Sequence, residues 1–110
     1  MVNTKAKYIK PTAILALDSI LSLGVLQALR DRGLSCPESV SLVGFDDAEW
    51  AVVTSPPLTV VAQPVYEIGA EAFRLLLRRM QGGNHRPVRK VLPASLVVRE
   101  SVGAPPDTRH

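Results

Sequence analysis

Two aspartates stand where apolar segments of the chain end. Asp18 follows the run 13–17, and Asp46 follows the run 40–45. If both runs are neighbouring parallel strands, the two carboxylates lie at the same edge of the sheet, where open α/β sheets bind their ligands. Carboxylates there can accept hydrogen bonds from sugar hydroxyls or purine N–H groups, hold a cation, or act in catalysis. Alternatively, each aspartate only caps the helix or turn that follows it, and the pattern by itself leaves both interpretations open.

A metal-dependent enzyme that uses Asp18 and Asp46 is one alternative. Such sites usually also need a phosphoacceptor or a basic residue that stabilises the developing charge. The third predicted strand ends instead at Gln63-Pro64, and Lys90 begins its strand rather than ending it. No Gly-rich phosphate loop, Ser/His/Asp constellation or nucleophile elbow is present. We therefore predict that the chain is not an enzyme, and we predict no cofactor.

Five further residues have side chains that could take part in a site. Trp50, the only tryptophan, could stack on a ligand ring, but a loop tryptophan more often packs on a neighbouring element or at a subunit contact. Asp47 should point away from Asp46 if the backbone is still extended there. Cys36, the only cysteine, excludes an intrachain disulfide and is most simply a core or turn residue. His85 and His110 have no second donor at metal-ligand spacing, so no metal site is predicted.

The elements that must position these residues indicate an α/β fold. The run 13–17 is typical of a strand buried on both faces. Asp18 or Ser19 then caps a helix that ends at Gly33, and 40–43 forms a second strand. A strand, a helix and a strand with short connections predict a parallel βαβ unit. The apolar face of this helix is expected to hold Leu21, Val25, Ala28 and Leu29.

The second half of the chain predicts a strand, a helix and a further strand region. Residues 46–57 form a loop with room for one helical turn, and 58–63 is rich in β-branched residues, typical of a strand. Pro64 opens a helix over 65–81, and 88–98 contains one or two strand pieces around Pro93. The apolar face of this helix is expected to hold Ile68, Ala72, Leu75, Leu76 and Met80, and its charged, solvated face Glu67, Glu71, Arg74 and Arg78.

Composition limits the size and class of the protein. A chain of 110 residues with 46% apolar residues is one domain or part of one. The half from residue 56 onward carries eight Lys/Arg against four Asp/Glu, too few for a nucleic-acid footprint, and no DNA-binding motif is present. Polar residues interrupt the apolar stretch 13–29, which argues against a signal peptide or a membrane span and favours a cytoplasmic protein. We expect a disordered lead-in over 1–10 and a disordered tail over 103–110.

Several sequence blocks, taken together, resemble one family. The chain resembles the C-terminal part of the effector-binding domain of LacI/GalR-type bacterial transcription regulators. The resemblance covers about nine-tenths of the chain, and its blocks occur in the family's order and spacing. It implies a parallel-sheet, periplasmic-binding-protein-like fold with two lobes and a ligand between them, of which 11–102 would form an incomplete part. The blocks are Pro11 to Ile14, Arg32 to Leu34, Val40 to Asp47, Pro57 to Pro64, Ile68-Gly69 and Leu96 to Ser101.

The resemblance assigns ligand-binding roles to three residues. Asp46 resembles the family's ligand-binding aspartate, and Asp18 occupies a place where the family usually has asparagine. That change replaces an amide donor by an obligate acceptor and favours a ligand rich in hydrogen-bond donors. Gln63 marks a crossover and joins the ligand-binding set, so that helix 65–81 belongs to the opposite lobe and strand 91–99 returns.

The resemblance also implies a homodimer. Residues 19–32 and 50–57 would lie at the family's dimer face, with Leu23 a central contact and Thr54 and Ser55 beside it. The family's DNA-binding region and most of its first lobe are absent from this sequence. Two helices can hardly cover both faces of the sheet, which also indicates a missing half or an obligate partner.

These observations lead to one principal hypothesis and three alternatives. The principal one is the ligand-sensing and dimerisation part of a transcriptional regulator, with a sugar or nucleoside-like effector. DNA would be contacted only through a region absent from this chain, and no membrane is involved. The alternatives are a stand-alone sugar-binding protein of the same fold, the metal-dependent enzyme, and a fragment that binds nothing measurable.

Overall fold

The computed structural model describes residues 10–84 and 86–106 and shows an α/β chain. Along it, three strands and a helix precede a long second helix and a last strand. A single 3-10 turn, Glu49–Val52, lies in the loop between the second and third strands. The elements are β1 Ala13–Leu15, α1 Ser19–Asp31, β2 Ser41–Phe45, β3 Thr59–Ala62, α2 Val65–Met80 and β4 Ser95–Val97.

Within the described residues the strands form one sheet in the order β1-β2-β3-β4. Strands β1 and β2 are parallel, as are β2 and β3, whereas β4 runs antiparallel to β3. The predicted α/β class and the parallel βαβ unit are therefore confirmed. The strand region predicted over 88–98 is shorter in the structure, because only Ser95–Val97 pairs with β3.

The core lies on one face of the sheet, between the strands, α1 and the loop after β2. Half-buried side chains from α1 and the loops pack against it, among them Val25, Cys36 and Trp50. The predicted packing roles of Cys36 and Trp50 are therefore confirmed. The buried cluster consists of Ala16, Leu42, Ala51, Leu58 and Val60.

Helix α1 begins and ends where the sequence predicts. The Leu21 N–H donates to Oδ1 of the N-cap Asp18 at 2.7 Å, and Gly33 takes the left-handed conformation at φ +67° just past the helix end. The predicted buried face is wrong at Leu21, which is 53% exposed, because Ser22 faces the sheet instead. A small residue is required there, since the helix passes close over Gly44 of β2.

Strand β1 is not buried on both faces, contrary to the prediction. Ile14 and Ala16 face the core, whereas Leu15 is 57% and Leu17 68% exposed. The reason is that α1 and the loop after β2 cover one face of the sheet, and no described element covers the other at β1.

Helix α2 extends away from the sheet, and none of its residues is buried. The described residues accordingly form an elongated body of 66 × 35 × 23 Å. On its charged face Glu71 is not simply solvated as predicted: its carboxylate is paired with Lys90 at 2.8 Å and with Arg74. The hydrogen bond from Lys90 is the main reason why the pKa of Glu71 is lowered from its ordinary value.

The end of the described chain is attached to the sheet. The N–H of Gly103, a residue that the sequence places in the tail, donates to Ser41 Oγ at 3.0 Å. The rest of the predicted tail, 107–110, the lead-in 1–9 and the two histidines lie outside the described residues. Among the described residues, no helix is long and apolar enough to cross a membrane.

Candidate functional site

The strand pairing places the two predicted ligand-binding aspartates at one edge of the sheet. Leu15 of β1 lies opposite Val43 of β2 in the parallel register. Asp18 and Asp46 each follow their paired residue by the same number of positions, so both lie just past the carboxyl ends of adjacent strands. This is the edge at which open α/β sheets bind ligands.

Asp46 is held in an uncommon conformation at the end of β2. Its φ is +80°, the left-handed region, which costs most residues about 1 kcal/mol and which aspartate tolerates better than most. Its N–H still donates to the Val61 carbonyl at 2.8 Å, so the strand pairing continues to this residue. The chain then turns sharply out of the sheet, and the Asp46 carboxylate remains at the strand ends.

Gln63, which the family resemblance places in the ligand-binding set with Asp46, contacts Asp46 in the structure. The Gln63 Nε2 group donates to Asp46 Oδ1 at 2.6 Å, across a pair that is open to solvent. Gln63 directly follows β3, so neighbouring strands β2 and β3 supply the two side chains. An amide and a carboxylate fixed together at a strand edge present both donor and acceptor atoms to a polyhydroxy ligand.

Asp18 is the N-cap residue of α1. Its Oδ1 accepts the Leu21 N–H at the start of α1, and its backbone carbonyl accepts the Ser22 hydroxyl at 2.9 Å. Both interactions fix the aspartate at the strand edge, and Oδ2 makes no hydrogen bond within the described part of the chain. The capping interpretation is therefore correct for one carboxylate oxygen, while a ligand role for the other stays a prediction.

Arg99 is a residue that the sequence analysis did not assign to any site. Its guanidinium forks onto the Asp47 carboxylate, with Nη1–Oδ1 and Nη2–Oδ2 distances of 2.9 Å. Nη1 also donates to the Leu58 carbonyl at 2.9 Å. Asp47 and Asp46 thus have different partners, Arg99 and Gln63, although the backbone at Asp46 is left-handed and not extended as the prediction assumed. The only sequence feature that indicates a role for Arg99 is its place after an apolar strand. That place does not predict the contact with Asp47, which lies 52 residues earlier in the chain.

A buried serine joins the C-terminal segment to the sheet. The Ser101 hydroxyl accepts the Thr59 N–H at 2.8 Å and donates to the Leu42 carbonyl at 2.5 Å, while its backbone carbonyl accepts the Leu42 N–H. Ser101 has no exposed surface. The segment that carries Arg99 is therefore fixed between β2 and β3.

The three residues predicted for a dimer face line one groove. Leu23 of α1 is 48% exposed and lines the groove together with Thr54 and Ser55. The Thr54 hydroxyl lies 2.9 Å from the Pro56 carbonyl and 3.2 Å from the Ala51 carbonyl, and its single proton is donated to one or shared between them. The structure thus brings these residues together on a surface distinct from the strand edge.

Trp50 does not belong to the strand-edge site. It lies in the 3-10 turn and packs against the buried cluster, which favours its packing role over ligand stacking. Within residues 10–84 and 86–106, no three His, Cys, Asp or Glu side chains are grouped so that they could hold a metal ion.

Comparisons with known proteins identify the family. The model of the periplasmic-binding-protein-like domain matches residues 1–102. The chain is 45% identical over 94 residues to a probable opine utilization operon repressor of Rhizobium rhizogenes, and 40% identical over 96 residues to the transcriptional repressor CytR of Escherichia coli. These matches cover 84% and 87% of the chain but only 48% and 28% of the two repressors. The chain therefore spans about half or less of the length of these relatives.

Solved structures of regulators have the same fold. A CelR regulator in complex with cellobiose is 42% identical, with a TM-score of 0.77 over 82% of this chain and 28% of its own. A LacI family regulator of Enterococcus faecalis with bound ribose is 32% identical, with a TM-score of 0.81 over 92% of this chain and 37% of its own.

Because the relatives are transcriptional repressors, the prediction of a non-enzyme is confirmed. The chain belongs to the periplasmic-binding-protein-like domain family and corresponds to the C-terminal part of the effector-binding domain of LacI-type transcriptional regulators.

Proposed function

We propose that this chain is the effector-sensing and dimerisation part of a cytoplasmic transcriptional regulator, and that its effector is a sugar or nucleoside-like molecule. DNA would be contacted by a part of the regulator outside residues 1–110. The observation that carries the proposal is the hydrogen bond between Gln63 and Asp46 at the carboxyl edge of the parallel strands.

The chemistry of this edge suits a molecule with several hydroxyl groups. The remaining oxygens of Asp46 and Asp18 are acceptors for hydroxyl or N–H donors, and the Gln63 amide supplies both a donor and an acceptor. Hydrogen bonds to ionised groups are the stronger ones, about 1.5–3 kcal/mol each. Structural relatives with bound cellobiose and bound ribose support the same ligand class for this chain.

The dimer is the second part of the proposal. Leu23, Thr54 and Ser55 line a groove that is open to solvent and contains apolar side chains from α1 together with the prolines of the following loop. Burial of such apolar surface against a second copy would stabilise a dimer by roughly 25 cal/mol for each Å² removed from water.

Ligand-induced thermal stabilisation tests the sensing role. We expect ribose, cellobiose or a nucleoside to raise the melting temperature, because a ligand present at 100 times its Kd stabilises by about 2.7 kcal/mol. Asp46→Asn should weaken binding by roughly tenfold to a hundredfold, the loss of one charge-assisted hydrogen bond. Asp31→Asn, an exposed change at the end of α1, is the matched control. Equal affinity of the Asp46→Asn variant and the unmodified protein would rule out the proposed site.

A further inference from the structure

The proposed function gives no role to Arg99, a side chain with several partners next to the strand edge. Arg99 makes two bonds to Asp47 and one to the Leu58 carbonyl, and its backbone N–H donates to Thr59 Oγ1 at 2.9 Å. Its side chain is only 16% exposed. A fork onto both carboxylate oxygens fixes the direction as well as the position of the partner, which a lysine cannot do.

The partner of Arg99 is the direct neighbour of the ligand-binding candidate. Asp46 is the only described residue other than glycine with a positive φ, and it is followed at once by the anchored Asp47. A left-handed conformation at a non-glycine residue persists only where the surrounding structure holds it. On one side the Asp46 N–H is bound to Val61, and on the other side the Asp47 side chain is bound to Arg99.

Ser101 fixes the backbone segment that carries Arg99. Ser101, two residues further on, is fully buried and bridges β2 and β3 through Leu42 and Thr59. Arg99 therefore projects from a segment that is attached to the same two strands that carry Asp46 and Gln63. The guanidinium binds the Asp47 carboxylate and the Leu58 carbonyl, and Asp47 directly follows the left-handed Asp46.

We propose that Arg99 is a positioning residue of the strand-edge site. By fixing Asp47 it holds Asp46 in the left-handed conformation in which its carboxylate meets Gln63, and it thereby sets the affinity for a polyhydroxy ligand. The affinity part rests on the proposed function; the positioning part does not. In this proposal Arg99 acts only through Asp47.

The Gln63 side-chain amide gives a direct readout of the position of Asp46. In nuclear magnetic resonance spectra of the full chain, we expect one Gln63 Nε2 proton to lie downfield of those of Gln27 and Gln81, because it donates at 2.6 Å to a carboxylate. Asp47→Asn removes the charge with little change in shape, and Arg99→Lys keeps the charge but not the fork. Both should move the Gln63 signal toward the other two glutamines while the amide signals of the sheet stay in place.

Glu71→Gln is the matched control, because it breaks an ion pair on α2 that does not touch the strand edge. It should leave the Gln63 signal unchanged. An unchanged Gln63 signal in folded Asp47→Asn or Arg99→Lys protein would overturn the proposal. If Asp47→Asn and Arg99→Lys both lost the dispersed spectrum of a folded protein, the proposal would also be overturned. Arg99 would then stabilise the whole sheet rather than position one residue.

Ribose titrations separate this proposal from the proposed function. If the unmodified protein binds ribose, Asp47→Asn should weaken binding roughly tenfold, the effect of one misaligned charge-assisted hydrogen bond. Unaltered affinity despite a displaced Gln63 signal would overturn the affinity part. If the unmodified protein binds neither ribose nor the other sugars and nucleosides, the proposed function fails, and the Gln63 signal alone still decides the positioning role.

Discussion

Ser22 of α1 lies directly against Gly44 of β2. A Cβ atom built on Gly44 would come within 2.8 Å of Ser22 Oγ and 3.4 Å of Val60 Cγ1. The two small residues let α1, which begins after Asp18, lie close to β2, whose end carries Asp46. The contact thus links core packing to the geometry of the candidate site.

Gly44→Ala should lower the free energy of unfolding by about 1–3 kcal/mol, the usual cost of overpacking a core. To make room, the Ser22 hydroxyl must move and give up its hydrogen bond to the Asp18 carbonyl. In a Ser22→Ala background the same substitution should cost less, because the nearest atom is then gone. Urea unfolding of the two single variants and the double variant measures this coupling. Strictly additive effects would show that the contact does not limit the approach of α1.

Ser101→Ala should destabilise the protein by about 1–3 kcal/mol, because it leaves the buried Thr59 N–H and Leu42 carbonyl without their partner. Ser95→Ala, an exposed change in β4, is the control and should stay within about 0.5 kcal/mol. Thermal unfolding followed by circular dichroism measures both. A Ser101→Ala variant as stable as the control would mean that water replaces the hydroxyl.

Leu23→Glu should convert a dimer of this chain into a monomer, since a charge buried in an apolar contact has no partner there. Light scattering over a concentration series gives the molar mass of each species. Val91→Glu is a suitable control, because Val91 is 74% exposed, lies outside the predicted dimer face and does not line the groove. An unmodified protein that is monomeric at every concentration would refute the predicted dimer, and a dimeric Leu23→Glu variant would place the interface elsewhere.

Cys36 should react more slowly with iodoacetamide at pH 8 in the folded protein than in the unfolded chain. Burial is the main reason why its pKa is raised above the ordinary 9.0, so less of the reactive thiolate is present. The pKa of Cys36 is higher in the folded state than in the unfolded chain. The contribution of this thiol to the free energy of unfolding is therefore fully present below pH 9.0 and is lost as the pH rises through the folded-state pKa. Mass spectrometry of the alkylated protein measures the rates. Equal rates with and without denaturant would contradict the raised pKa.

The sequence by itself determined the α/β class, the order of the elements and the limits of both helices to within about a residue or two. These features depend on local chemistry: an aspartate cap before α1, a glycine at φ +67° after it, and Pro64 before α2. The common edge of the parallel strands predicted that Asp18 and Asp46 lie together, whereas only the family resemblance added Gln63 to them.

Only the tertiary structure decided which faces are buried and which side chains meet. Leu15 and Leu21 are apolar but more than half exposed, and their exposure depends on which elements cover the sheet. The pairing of Asp47 with Arg99 joins residues far apart in the chain, and no local pattern encodes a contact that forms only when β4 returns beside β3. The left-handed turn at Asp46 follows from the same long-range contacts, because aspartate has only a modest intrinsic tolerance for that conformation.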